Sequence, residues 1–240
     1  MTAIEHYRAG NLGAAIQALN EELRSNPGNE RSRTFLFELL CFAGQFDRAE
    51  KQLDALAQAD RKAQLGTLVY RAALEAERQR HAFFASREYS TQGPAPEPLG
   101  GSFNGRAFSS ISDTDPRIGA RLEVFTGGSY MWIPFAHLVS IQMQPPTQLR
   151  DLLWPPVLLR TTPAFPIRDL GEVMVPALAP FSWQHQDDAV RLGRATVWDL
   201  DDAGEEIPSG QKMLIIDDEE IPFLELREVS FQAATAAATA

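Results

Sequence analysis

Two groups of side chains have the types and spacing that chemistry could use. Asp113 and Asp115 lie two apart in ISDTDPRIG. On a strand they would share a face and could act as a metal or acid/base pair; directly before Pro116 they would shape a turn instead. His185, Asp187 and Asp188 form the second group, in FSWQHQDDAV. An imidazole beside carboxylates can serve as a general base or hold a metal. Asp187 or Asp188 also suits the N-cap of a short helix running into AVRLG, stopped by Gly193. Asp217, Asp218, Glu219 and Glu220 separate KMLII from IPFLEL, as a turn between strands would, with a cation or a basic partner as the alternative. DLDDAGEE, residues 199–206, is read in the same way and lacks the alternating ligand spacing of an EF-hand loop.

Cys41 is the single cysteine and lies in apolar LLCFAG with no base beside it, so a buried, unreactive thiol is expected. One cysteine cannot close an intrachain disulfide or build a cysteine zinc site. The chain has no Gly-x-Gly-x-x-Gly, phosphate-loop lysine motif, Gly-x-Ser-x-Gly or His-Glu-x-x-His, and His6, His81 and His137 are isolated. The expectation is a protein without catalytic residues, cofactor or metal. A hydrolase-like or metal-dependent enzyme built on the carboxylates is the competing reading.

Charge narrows the partners. The net charge is −10 over 240 residues, but residues 1–90 carry 12 basic and 12 acidic side chains, so the whole excess lies in residues 91–240. An acidic surface repels phosphate backbones and anionic lipid, which argues against nucleic-acid and membrane binding. No apolar run approaches the ~20 residues of a membrane span. The opening MTAIEHYRAGNLGAA contains Glu5 and no apolar h-region, so a cytoplasmic protein is expected.

The elements that must position these groups change character along the chain. Leu12, Ala15, Ile16, Leu19 and Leu23 have helical spacing and stop at Asn26-Pro27-Gly28. Further helices are expected from about Arg31 to Phe42, around Ala49 to Leu56, and from about Ala63 to Ala85. AGNLGAAIQAL and AGQFDRAEKQL align without a gap, which sets Gly10 against Gly44, Ala15 against Ala49 and Leu19 against Leu53. Their separation of 34 residues is the period of the tetratricopeptide helix–turn–helix unit. Arg61 stands where the second unit should close on proline. Two units are fewer than the three or more that stacked repeats usually need, so the fourth helix or the C-terminal region must support them.

STQGPAPEPLGG, residues 90–101, cannot continue a helix. Beyond it the pattern is β. RLEVFTGGSYMWIPF is a hairpin around Gly127-Gly128, LVSIQMQ alternates, and short runs such as PVLLRTT, GEVMVPAL, ATVWDL, KMLIID and PFLELREVSF follow among many prolines. LRDLLWPP could form one helical turn. Tyr130, Trp132, Phe135, Trp154, Trp183 and Trp198 are expected mostly in packing. The reading is an α+β chain: a tetratricopeptide-like helical domain (1–90), a Pro/Gly-rich connector (91–101), a predominantly β domain (102–231) and a disordered Ala/Thr tail (232–240).

The order of DTDPRIG, YMWIPF, LRDLLWP and SWQHQDDAVRLGR behind the AGNLGAAIQAL repeat resembles the ImpE/TagJ (SciE-type) accessory proteins of bacterial type VI secretion. The resemblance covers about residues 4–231. It implies a non-enzymatic cytoplasmic adaptor that binds an N-terminal helix of the small contractile-sheath subunit, with a link to the ATPase that recycles contracted sheath. A general repeat scaffold or chaperone is a further alternative. Independently, repeat arithmetic places Arg31, Thr34, Glu38 and Phe42 on one side of the second unit's first helix, the side that faces the concave surface of an open solenoid. Phe42 would be an apolar anchor there, and Arg31 and Glu38 would set orientation, unless the fourth helix or the β region covers that side.

Overall fold

The structure is a computed structural model that describes residues 1–58, 61–96, 100–167, 170–201 and 204–232, with backbone only at 61–63. The expected tail falls almost wholly outside the described residues. An N-terminal tetratricopeptide-type helical region is followed by a mostly β region.

Five helices come first: α1 (Ala3–Arg8), α2 (Leu12–Ser25), α3 (Glu30–Phe42), α4 (Phe46–Ala57) and α5 (Arg61–Ala85). Four match the periodic segments. The fifth, α1, is too short to show a period, but Thr2 and Glu5 make a reciprocal capping box that starts it. Gly10 and Gly44, the glycines 34 apart, both take left-handed backbone, with φ of 81° and 66°. Each lets one helix stop and the next reverse. The units are therefore α1–α2 and α3–α4, with α5 as the first helix of a third. Arg78 stands where the third unit would need its glycine, so α5 continues to Ala85 without turning back.

The β region holds β1 (Gly101–Phe103), β2 (Arg106–Phe108), β3 (Ile111–Asp113), β4 (Arg121–Thr126), β5 (Ser129–Pro134), β6 (Leu138–Met143), β7 (Pro156–Thr161) and β8 (Gly171–Met174). After the one-turn helix α6 (Asp188–Arg191) come β9 (Thr196–Leu200), β10 (Glu206–Gly210), β11 (Met213–Ile216), β12 (Glu219–Pro222) and β13 (Glu228–Phe231). An eight-stranded sheet runs β2-β1-β13-β6-β7-β8-β4-β5, beside a three-stranded sheet β12-β11-β3 and a ribbon β10-β9. The pairings are antiparallel, and β4–β5 is the hairpin around Gly127-Gly128. Alternation in β6 is interrupted by a bulge between Leu138 and Ser140, which leaves Val139 outside while Leu138 and Ile141 stay buried. LRDLLWPP contributes a single 3₁₀ turn, Leu149–Leu152.

Two apolar cores result. One lies within the β region, around Val124, Ile133, Ile141, Phe223 and Val229. The other belongs to the helices, yet Phe125, Leu153, Trp154 and Leu192 from the β region are buried in it. Two and a half repeats are stable because the later half of the chain supplies the rest of their core.

Candidate functional site

Where α5 meets the β region, charge is buried. Arg80 (1% exposed) donates from Nε and Nη2 to the two oxygens of Glu123 (0% exposed), at 2.7 and 2.9 Å. It also donates to Glu77 at 3.0 Å and to the Leu178 carbonyl at 2.9 Å. Lys212, on the segment leading into β11, bridges Glu123 and Asp113 at 2.5 Å each. Tyr130 donates its hydroxyl to Glu123 at 2.7 Å, and the Trp154 indole donates to Glu77 at 2.9 Å. One helix and five separate parts of the β region thus converge on a single polar knot.

The charges in the knot are matched unevenly. Burial alone would raise the Glu123 carboxyl, but Arg80 and Lys212 outweigh it and hold the group at about 2. Burial would likewise lower Arg80 and Lys212, and their carboxylate partners raise both. Asp113 goes the other way, to about 6, through burial first, with Asp115 and Glu123 adding and Lys212 opposing. Two cations face the three carboxylates Glu77, Glu123 and Asp113, and Lys212 does not fully offset the burial of Asp113.

DTDPR is a built turn beside this knot. The Asp115 amide donates to Asp113 at 2.9 Å, and the Arg117 amide donates to Asp115 at 3.0 Å. The Arg117 guanidinium grips the Asp115 carboxylate at 2.8 and 2.5 Å and lies 5.0 Å over the Phe84 ring of α5. Both aspartates are buried and engaged, so the pair read as potential catalysts sits in structural hydrogen bonds.

The second cluster is a clamp. The His185 ring nitrogen Nδ1 accepts from the Asp187 amide at 3.0 Å, and Asp187 caps α6 through the Ala189 amide at 2.8 Å. Asp188 reaches across the molecule to accept from the Leu12 amide at 2.7 Å, capping α2, whose own N-cap residue makes no side-chain bond. Arg194 donates to the Tyr7 and Arg8 carbonyls and stacks 4.7 Å over the Tyr7 ring. Trp183 lies on Gly44, where an added Cβ would come within 2.3 Å of the indole. His81 is stacked between Phe46 and Phe181, with centroids at 5.4 and 5.0 Å, and burial lowers its pKa. SWQHQDDAVRLGR therefore holds both helical hairpins against the β region. Among the described residues no group of three or more His, Cys, Asp or Glu is placed to hold a metal ion.

The acidic stretches are also built into turns. Asp217 accepts from the Ser109 and Ser110 amides at 2.8 and 2.9 Å, and Asp201 accepts from the Glu205 amide at 3.0 Å. Residues 202 and 203 lie outside the described set. Cys41 is buried, and burial raises its thiol well above the ordinary range.

The four concave-side residues do not stay together on a free face. Phe42 is 1% exposed, packed beside Trp154 and Trp183 around a cavity of about 20 Å³. It cannot anchor a partner, because the β region already covers it. Glu38 is 8% exposed, and burial raises its carboxyl to about 7 against the pull of Arg150. Thr34 and Glu38 line a cavity of about 220 Å³ with Tyr70, Gly66 and Arg150. Arg31 is exposed.

These features define a class: a short tetratricopeptide-type helical array whose inner side is partly filled, and locked by buried ion pairs, by an antiparallel β region of the same chain. The chain belongs to the ImpE family, whose model matches residues 105–230. A tetratricopeptide repeat model matches residues 6–73, which extends into α5. The chain is 32% identical to the type VI secretion system accessory component TagJ of Pseudomonas aeruginosa, over 97% of this chain and 92% of that protein. The crystal structure of protein VPA1032 from Vibrio parahaemolyticus has the same fold, with a TM-score of 0.84 and 22% identity over 98% of both chains. No helix among the described residues is long and apolar enough to cross a membrane.

Proposed function

We propose that this chain is a non-enzymatic, cytoplasmic adaptor of a type VI secretion system. It binds the N-terminal helix of the small contractile-sheath subunit and assists sheath assembly or its recycling by the dedicated ATPase. The observation that carries this reading is the full-length similarity to the TagJ accessory component, across both the helical and the β region. Two features of the fold support it. Tetratricopeptide hairpins recognise extended or helical segments by burying an apolar face in a groove, with charge setting register. The carboxylate clusters that an enzyme would need are engaged in ion pairs and helix caps.

The test is co-purification of the full chain with the small sheath subunit, with and without its first helix, followed by calorimetry. Saturable binding that disappears with the helix is expected. No association at concentrations on the order of tens of micromolar, where a weak transient complex would still register, would overturn the adaptor reading.

A further inference from the structure

The same unit arithmetic marks another stripe, on α5, that the β region leaves open. Moving 34 residues on from Arg31, Thr34, Phe35 and Glu38 gives Leu65, Leu68, Val69 and Ala72 on α5. At three of these positions the third unit has an apolar residue where the second has a polar one, and at the fourth Val69 answers to Phe35. Yet Leu65, Leu68 and Val69 are 60%, 55% and 52% exposed. Their spacing puts them on one face over little more than one helical turn, and half-buried Ala72 extends the stripe to two. Two cavities lie along one flank of the stripe, on the side of Gly66, Tyr70 and Ala73. One, of about 220 Å³, lies toward Thr34 and Glu38 of α3. The other, of about 270 Å³, lies between Val69 and Ala72 and the β region's Phe125, Pro156 and Met174. Because α5 runs straight through Arg78, no second helix of a third unit folds back from it.

We propose that this stripe is a docking ridge for a partner's amphipathic helix whose apolar face is flanked by basic side chains. The position favours a helix: a repeat's inner face, with an apolar ridge two turns long and furrows along one flank, matches ridges-into-grooves packing. Charge favours a basic flank. The charged residues lining the two furrows are Glu30, Glu38, Glu172 and Arg150, and Arg150 is stacked 5.0 Å over Tyr70. Exposed Glu75 follows Ala72 by one turn. This inference rests on the adaptor reading and places that reading's helix on α5.

The experiment is fluorescence anisotropy of a labelled synthetic peptide carrying the small sheath subunit's first helix, titrated with the full chain. The comparison variants are Leu65→Ser/Leu68→Ser and Glu172→Lys, with circular dichroism to confirm that each folds. Exposed leucines can be changed without disturbing the core. The double variant should weaken binding by about tenfold or more, the loss expected when buried leucine contact is removed. Glu172→Lys should weaken it less, and the difference should shrink at high salt. If wild-type chain binds and the folded double variant binds equally well, the ridge is wrong while the adaptor reading stands. If wild-type chain does not bind, the adaptor reading falls and takes the ridge with it. A wild-type dimer that the double variant converts to monomer, seen by light scattering, would show that a second copy covers the stripe and would also overturn the proposal.

Discussion

Replacing Arg80 with methionine isolates what the buried knot does. The side chain is similar in length, so the main change is loss of the charge and its donors. Glu123, fully buried, would lose two short hydrogen bonds and keep Lys212 and Tyr130; Glu77 would lose one. Removing one partner of a buried ion pair typically costs ~3–5 kcal/mol, against a total stability of ~5–15 kcal/mol for a folded protein. Arg80→Met should therefore remove at least about a fifth of the stability. Urea unfolding followed by circular dichroism and by tryptophan fluorescence measures this, because Trp154 hydrogen-bonds Glu77 in the same knot. The double variant Arg80→Met/Glu123→Gln should lose clearly less than the sum of the singles, with a coupling of ~1–3 kcal/mol, because the orphaned charge is gone. A loss below ~1 kcal/mol for Arg80→Met, or strict additivity in the double variant, would refute the view that these charges join the two regions.

Three further perturbations follow from the same geometry. Gly44→Ala forces a side chain into left-handed backbone and into Trp183, and should cost ~2–4 kcal/mol; in a Trp183→Ala background only the backbone part, ~1–2 kcal/mol, should remain, as read by thermal melts. Asp188→Ala removes the cap of α2 and should cost ~1–2 kcal/mol, with faster hydrogen exchange at the start of α2, whereas Asp187→Ala should loosen α6 alone. Glu38 binds its proton more tightly folded than unfolded, so its contribution is present at low pH and is lost as pH rises from about 4.5 through about 7. The melting temperature should fall across that window, and Glu38→Gln should flatten the part of the slope that Glu38 supplies.

Much of the fold was legible because its signals are local. Apolar periodicity marked α2 to α5, paired glycines marked the units, and Gly127-Gly128 marked the β4–β5 hairpin. Helix α1 was missed, because six residues carry no period; its capping pair, Thr2 and Glu5, is a finding of the structure. The knot was illegible because its partners are far apart in sequence: Arg80 and Glu123 by 43 residues, Lys212 and Asp113 by 99. Asp113 and Asp115 were visible as a pair, but nothing nearby announced Lys212. Asp188 was recognisable as a cap residue, but its helix starts 176 residues earlier. Repeat arithmetic set Arg31, Thr34, Glu38 and Phe42 out as positions on one side of α3. It could not foresee that the β region would seal Phe42, since a period describes only the neighbours that share it.

The long reach of Asp188 bears on how the molecule is made. During synthesis α2 emerges from the ribosome without its N-terminal partner, and its core lacks Leu153, Trp154 and Leu192 until those residues have been translated. The nascent hairpins must wait, loosely collapsed, until the chain's later half arrives to finish them. A gene cut after α5 would yield sticky helices instead of a miniature of the repeat domain.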